Sequence, residues 1–173
     1  MIIGLALVAL ELGQAPLVPY DPSGEAKARV AARTSGRNTV EGDALLRTVG
    51  GNVKTCAGFV AHLIPVRAEV RAGVEKAYGS AEAGFLSADR VTGGSGPLES
   101  QLLAEGQAVP CDAAGHFRFE GVPDGTYYAQ ARVQWSVPTR SWGGRYHLEA
   151  EGGFLIQRLT VEGGETKRLV LTN

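Results

Sequence analysis

Between residues 116 and 137, apolar side chains recur at every second position, which is the spacing of a half-buried β-strand. Phe117 and Phe119 share one side of a short strand at 116–120. A turn at 121–125 follows, in which Pro123 presets φ, and 126–137 forms a longer strand rich in aromatic and β-branched residues. This alternation does not fit a helix, and it predicts antiparallel β-structure in this half of the chain.

The remaining segments extend this pattern to about seven strands. Strands are expected at 44–49, in 53–66, at 146–161 and at 166–172. Turns are expected at 50–52 and 111–115, with a bend at Gly58. The sequence at 162–165 predicts a hairpin between the last two strands. In the long strand one face carries Tyr127, Ala129, Ala131, Val133 and Trp135, and the other carries Tyr128, Gln130, Arg132 and Gln134. We therefore predict a mainly β protein, an antiparallel two-sheet β-sandwich.

One segment has a helical period instead. Val66, Val70 and Val74 recur every fourth residue, which predicts one inserted amphipathic helix near 67–78. The small and polar residues at 79–97 predict an exposed excursion. We treat 67–99 as an insertion into the sandwich domain.

The domain is expected to span 41–173, preceded by a linker or extended lead-in at 16–40. Residues 2–10 are apolar or small, and nine residues are too few to cross a membrane. Their length fits an export signal within 1–15, with Gly13 and Ala15 as the small residues before a cleavage site. An N-terminal strand or buried apolar tail is the alternative.

Two cysteines, Cys56 and Cys111, lie far apart without neighbours at metal-ligand spacing, so a zinc site is not predicted. In an exported protein they are candidates for one disulfide. Two separate buried thiols are the alternative.

The second half also resembles a known family. Similarity to carboxypeptidase regulatory-like domains, which have a prealbumin-like (transthyretin-like) β-sandwich, is strongest over 111–135 and extends over about 45–173. The motif residues are Gly115, Phe117, Phe119, Gly121, Pro123, Gly125 and Tyr127. The resemblance implies an extracytoplasmic accessory or interaction module, and it gives the motif residues a role in the fold.

Few residues suggest chemistry. His62, His116 and His147 are scattered and belong to no catalytic motif, so we predict no enzyme activity, no metal and no cofactor. His116 and His147 are expected on exposed faces. The net charge of −1 argues against a nucleic-acid partner.

The Gly-rich loop after the long strand is the candidate contact surface. Aromatic rings beside arginines can stack on sugars or anchor a protein. The candidates are Arg140, Trp142, Arg145, Tyr146 and His147, while Trp135 is expected mainly in the core. We expect a structural or interaction module of the bacterial cell envelope, partnered by another envelope protein or by itself. The alternatives are a carbohydrate-binding module using 135–147, or a subunit of a surface assembly held by its apolar N-terminus.

Overall fold

The predicted strands pair into two facing sheets in a computed structural model of the chain, which describes residues 35–91 and 106–173. These residues form nine strands and one α-helix, so the mainly β two-sheet prediction is confirmed with more strands than expected. The elements are β1 (Asn38–Arg47), β2 (Val53–Thr55), β3 (Val60–Pro65), α1 (Ala68–Tyr78), β4 (Ala83–Ser87), a 3₁₀ turn (Ala88–Arg90), β5 (Gln107–Pro110), β6 (His116–Val122), β7 (Gly125–Arg140), β8 (Tyr146–Val161) and β9 (Thr166–Leu171).

The first sheet is built around β1, which pairs with β2 and β6 antiparallel and with β9 in parallel. The second sheet has the order β4-β8-β7-β3-β5, and all its pairs are antiparallel. Residues with alternating burial point from both sheets into one apolar layer. This layer is the main core.

The motif residues of the second half occupy the positions predicted for them. Phe117 and Phe119 are buried, with ring centroids 5.7 Å apart. Tyr127 is buried as well, and its hydroxyl donates to the Pro123 carbonyl oxygen at 2.9 Å. Gly115 has φ of 89° in the turn before β6, and a Cβ there would lie 2.5 Å from Thr55 Cβ. Gly121 lies in β6 and Gly125 opens β7.

The helix α1 forms where the fourfold spacing predicts it, and it creates a second apolar layer. Val70 and Val74 pack with Ile64, Tyr128 and Ile156 on the outer face of the five-stranded sheet. Tyr128 is fully buried there, and its hydroxyl donates to the Ala81 carbonyl oxygen at 2.7 Å. Tyr128 lies on the face of β7 opposite Tyr127, as predicted, and it is buried there because the helix covers that face.

Two boundaries differ from expectation. The segment 79–97 was predicted to be an exposed excursion, but its part 83–87 is β4, which pairs with β8 at the sheet edge. The fold also starts before the predicted boundary at 41. Asn38 is fully buried at the start of β1, and Gly36 N donates to the Gly121 carbonyl oxygen at 2.9 Å.

The last two strands do not form the predicted hairpin. The turn at 162–165 forms, but β9 crosses to the other sheet and pairs with β1, with Thr39 opposite Thr166 and Ala44 opposite Leu171. The connection between β8 and β9 therefore links the two sheets. Leu169 and Leu171 reach the core from the side opposite Leu159.

A disulfide joins Cys56 and Cys111, with the Cα atoms 5.8 Å apart. It links the turn after β2 to the residue following β5, and thus ties the two sheets together within the main core. Of the two alternatives left open by the sequence, the disulfide is the one that forms.

The predicted signal or apolar segment at 1–15, most of the lead-in at 16–40 and the end of the insertion at 92–99 lie outside the described residues. Within 35–91 and 106–173, no helix is long and apolar enough to cross a membrane.

Candidate functional site

The hairpin formed by β7 and β8 extends beyond the neighbouring strands of its sheet. Beyond the partners β3 and β4, residues 134–152 pair only with each other among the described residues, from Gln134 opposite Gly152 to Arg140 opposite Tyr146. Every residue from 140 to 151 is exposed. We call this projecting part the ribbon.

A cleft of about 690 Å³ opens where the ribbon leaves the sandwich. One side of the cleft is formed by the base of the ribbon and the end of β4. The other side is formed by the turn between β1 and β2. The lining includes Arg47, Thr48, Val49 and Gly50 from the turn region and Phe85, Ser87, Asp89, Trp135, Glu149, Glu151 and Gly152 from the opposite side. Its volume is within the range of small-molecule binding sites.

Two aromatic rings, Phe85 and Trp135, lie in the apolar part of the cleft, and two glycines make room for them. Gly152 has φ of 93°, and a Cβ there would lie 2.9 Å from Trp135 Cζ3 and 2.2 Å from the Val133 carbonyl oxygen. A Cβ at Gly153 would lie 2.9 Å from Phe85 Cε2. The glycine pair therefore lets both rings lie close against β8, which stays continuous through it.

The polar part of the cleft is dominated by oxygen acceptors. Glu151 lies directly opposite Trp135 across the two strands, and Glu149 follows two residues earlier on the same face. Ser87 Oγ donates to the Asp89 carboxylate, and this hydrogen bond lowers the pKa of Asp89. Arg47 is the cationic residue in the lining. Ionised carboxylates only accept hydrogen bonds, so this wall suits a ligand with several hydroxyl donors.

The five residues predicted as the contact surface lie at the tip of the ribbon, and none of them lines the cleft. Trp142 is fully exposed and does not pack over the sheet edge. Tyr146 is 73% exposed and lies opposite Arg140. His147 Nδ1 is 2.9 Å from Ser141 Oγ, and Arg145 is exposed. The tip therefore presents these residues on an open surface.

Sequence reasoning missed the cleft residues because no local pattern marks them. Trp135 continues the inward face of β7, as predicted, but it is only partly buried since the opposing sheet ends before it. The signal in the sequence was the glycine pair 152–153 opposite an aromatic residue.

The histidines do not form a site. His116 and His147 are exposed, as predicted, and His62 is half-buried in β3. Among residues 35–91 and 106–173, no group of three or more histidine, cysteine, aspartate or glutamate side chains has the arrangement of a metal site.

The comparison with solved structures gives a fold match. The chain is similar to the crystal structure of PA1324 from Pseudomonas aeruginosa, described as a candidate carbohydrate binding protein, with a TM-score of 0.63 and 23% identity. The match covers 85% of this chain and 96% of that chain, so the two share the sandwich architecture over nearly all of PA1324. No protein-family model matches the chain. No curated protein matches it either.

Proposed function

We propose that the protein is a non-enzymatic, extracytoplasmic β-sandwich module that binds carbohydrate in the cleft between the ribbon and the β1–β2 turn. The main observation behind the proposal is that the rings of Trp135 and Phe85 pack against Gly152 and Gly153. The same cleft contains the carboxylates of Glu149 and Glu151. A sugar ring has an apolar C–H face that packs on an aromatic ring and hydroxyls that donate to carboxylates.

The carboxylates act as hydrogen-bond acceptors in this proposal. A glycoside hydrolase needs one carboxyl group with a raised pKa to protonate the leaving group. At Asp89 the neighbouring Ser87 hydroxyl acts in the other direction and keeps the carboxylate ionised. The proposal is binding without hydrolysis, which chromatography of an oligosaccharide after long incubation with the protein would check.

Two further observations support the module and its compartment. The fold match to PA1324 makes a glycan ligand plausible on a sandwich of this shape. The Cys56–Cys111 disulfide is typical of proteins in oxidising compartments, which favours the periplasm, the cell surface or the medium. The resemblance to carboxypeptidase regulatory-like domains leads to the same proposal of an envelope module, which could also contact another envelope protein.

Glycan-array screening followed by calorimetry tests the proposal. Trp135→Ala is expected to weaken binding of the best glycan roughly tenfold to a hundredfold, since it removes the stacking surface. Glu151→Gln, an isosteric change at an exposed site, is expected to weaken binding about threefold to tenfold. Unchanged affinity in both variants would contradict the cleft as the site.

Trp142→Phe is the matched control, because it changes an exposed aromatic residue at the ribbon tip outside the cleft. The chain has two tryptophans, so this variant also leaves Trp135 as the sole tryptophan. Its affinity should equal that of the unchanged protein, and its fluorescence should respond to the glycan. If Trp142→Phe abolishes binding while Trp135→Ala does not, the site is the ribbon tip.

A further inference from the structure

The two edges of the ribbon are not equivalent. In an antiparallel pair, alternate residues direct their N–H and C=O groups to the partner strand and the others direct them away. Ser141 N donates to the Arg145 carbonyl oxygen at 2.8 Å across the turn, and Arg158 N donates away from β7 to Glu82 at 2.7 Å. Even-numbered residues of both strands therefore direct their backbone groups outward.

The outer edge of β7 is protected against a further strand. Its outward positions along the ribbon include Pro138, which has no N–H, and the charged residue Arg140. Proline and charge are the devices by which edge strands avoid pairing.

The 3₁₀ turn (Ala88–Arg90) contacts β8, but the outer edge of β8 along the ribbon has neither a proline nor a charged residue at its outward positions. Its outward positions are Tyr146, Leu148 and Ala150, all exposed and all with a free N–H among the described residues. Tyr146 and Leu148 are each 73% exposed. Their side chains lie on one face with Pro138, so the edge combines unpaired backbone groups with an apolar surface.

The same edge is complementary to itself. Two copies related by a twofold axis through Leu148 would place Leu148 opposite Leu148 and Tyr146 opposite Ala150. On the other face, His147 would lie opposite Glu149, so a ring N–H meets a carboxylate. Moving the axis to Ala150 would instead place Glu149 opposite Glu151, which is repulsive. Of these two registers, the one centred on Leu148 matches both the apolar and the polar residues.

We propose that two copies of the chain associate through antiparallel pairing of their 146–150 strands about a twofold axis at Leu148. The pairing would form about six backbone hydrogen bonds and join the two five-stranded sheets into one continuous sheet. Each copy contributes the same surface, so the contact closes as a dimer. The paired segment shares Glu149 and Ala150 with the cleft lining, but the inference rests on the backbone edge of β8 and goes beyond the proposed glycan site.

Sedimentation velocity of the full chain over a concentration series is the first test. The monomer mass is 18.1 kDa, and a species of twice that mass is expected to grow with concentration. Leu148→Pro removes an outward N–H without touching the bonds between β7 and β8, and it should raise the dimer Kd at least about tenfold. Ser136→Pro makes the same change on the edge of β7 and should leave the Kd unchanged.

Cysteine cross-linking tests the register. Leu148→Cys places one new thiol at the twofold axis, where directly paired Cα atoms are about 5.5 Å apart and a disulfide can form. It should give a cross-linked dimer under mild oxidation, whereas Ser136→Cys should not. A chain that stays monomeric throughout the series, or a dimer that Leu148→Pro leaves intact, would overturn the proposal.

Discussion

Asn38 is a single side chain that holds three segments together. Its Nδ2 donates to the Val122 carbonyl oxygen at 2.9 Å and to Asp124 Oδ1 at 2.8 Å. Its Oδ1 accepts from Gly164 N at 2.7 Å and Glu165 N at 2.9 Å. All its hydrogen-bonding capacity is thus used in a fully buried position, at the edge where the turns before β7 and β9 meet β1.

Asn38→Ala should therefore destabilise the fold strongly. The substitution removes the hydrogen bonds from Asn38 to Gly164 N, Glu165 N and the Val122 carbonyl oxygen, and we expect a loss of about 2–4 kcal/mol in the free energy of unfolding. Urea denaturation followed by circular dichroism measures it. Asn52→Ala is the control, because the Asn52 side chain is exposed, and its effect should stay below about 0.5 kcal/mol.

Two histidines should shift the pH dependence of stability in opposite directions. Burial lowers the pKa of His62, so the unfolded chain takes up a proton there more readily, and stability falls as the pH drops through the unfolded value. A contact of 2.5 Å with Asp43 raises the pKa of His116. That ion pair contributes stability below the unfolded pKa and loses it as the pH rises through the folded pKa.

Denaturation of two variants between about pH 8 and about pH 5.5 separates these effects. His62→Gln should lose less stability on acidification than the unchanged protein, and His116→Gln should lose more. Identical pH profiles for all three proteins would show that neither histidine changes its proton affinity on folding. The His116 effect should be the smaller, because that pair is exposed to solvent and screened by salt.

At the scale of elements, the disulfide connects parts of the chain 55 residues apart. Closing a loop of that length removes entropy from the unfolded chain worth about 4 kcal/mol. A Cys56→Ala/Cys111→Ala double variant should lose about 3–4 kcal/mol of unfolding free energy, measured beside the oxidised protein. A loss near zero would mean that the unfolded chain is already compact around this loop.

Some elements could be predicted from the sequence because local spacing determines them. The helix follows from the valines of α1, and β6 and β7 follow from alternation with turn residues between them. The edge strand β4 could not be predicted, since 79–97 is mostly small and polar and only Phe85, Leu86 and Val91 are large and apolar. Its pairing depends on β8, which lies far away in sequence.

The partner of β9 depends on the fold as a whole. The Gly-rich turn at 162–165 has the composition of a hairpin, and alternation places Leu169 and Leu171 inward whichever sheet the strand joins. The choice is made by the open side of β1, which only the assembled sandwich presents. Asn38, which lies before the predicted start of the domain, accepts the hydrogen bonds that fix the turn at 162–165 as the chain crosses to the other sheet.

The candidate site is likewise a property of the whole molecule. Trp135, Phe85 and the carboxylates come from separate segments, and they meet because the five-stranded sheet extends past the end of the other sheet. Alternation correctly placed Trp135 on the inward face, but it could not show that the opposing sheet stops short of it. The ribbon tip was recognisable from its composition, whereas the cleft at its base was not.

The parallel pairing of β1 with β9 also affects how the protein is made. Asn38 and the turn residue Glu165 are 127 positions apart, so β1 leaves the ribosome long before its neighbour on that side exists. Until β9 is synthesised, the central strand of the four-stranded sheet has a bare flank next to a row of apolar side chains. A nascent chain in this state is a target for chaperones, and one that terminates before β9 would be prone to aggregate.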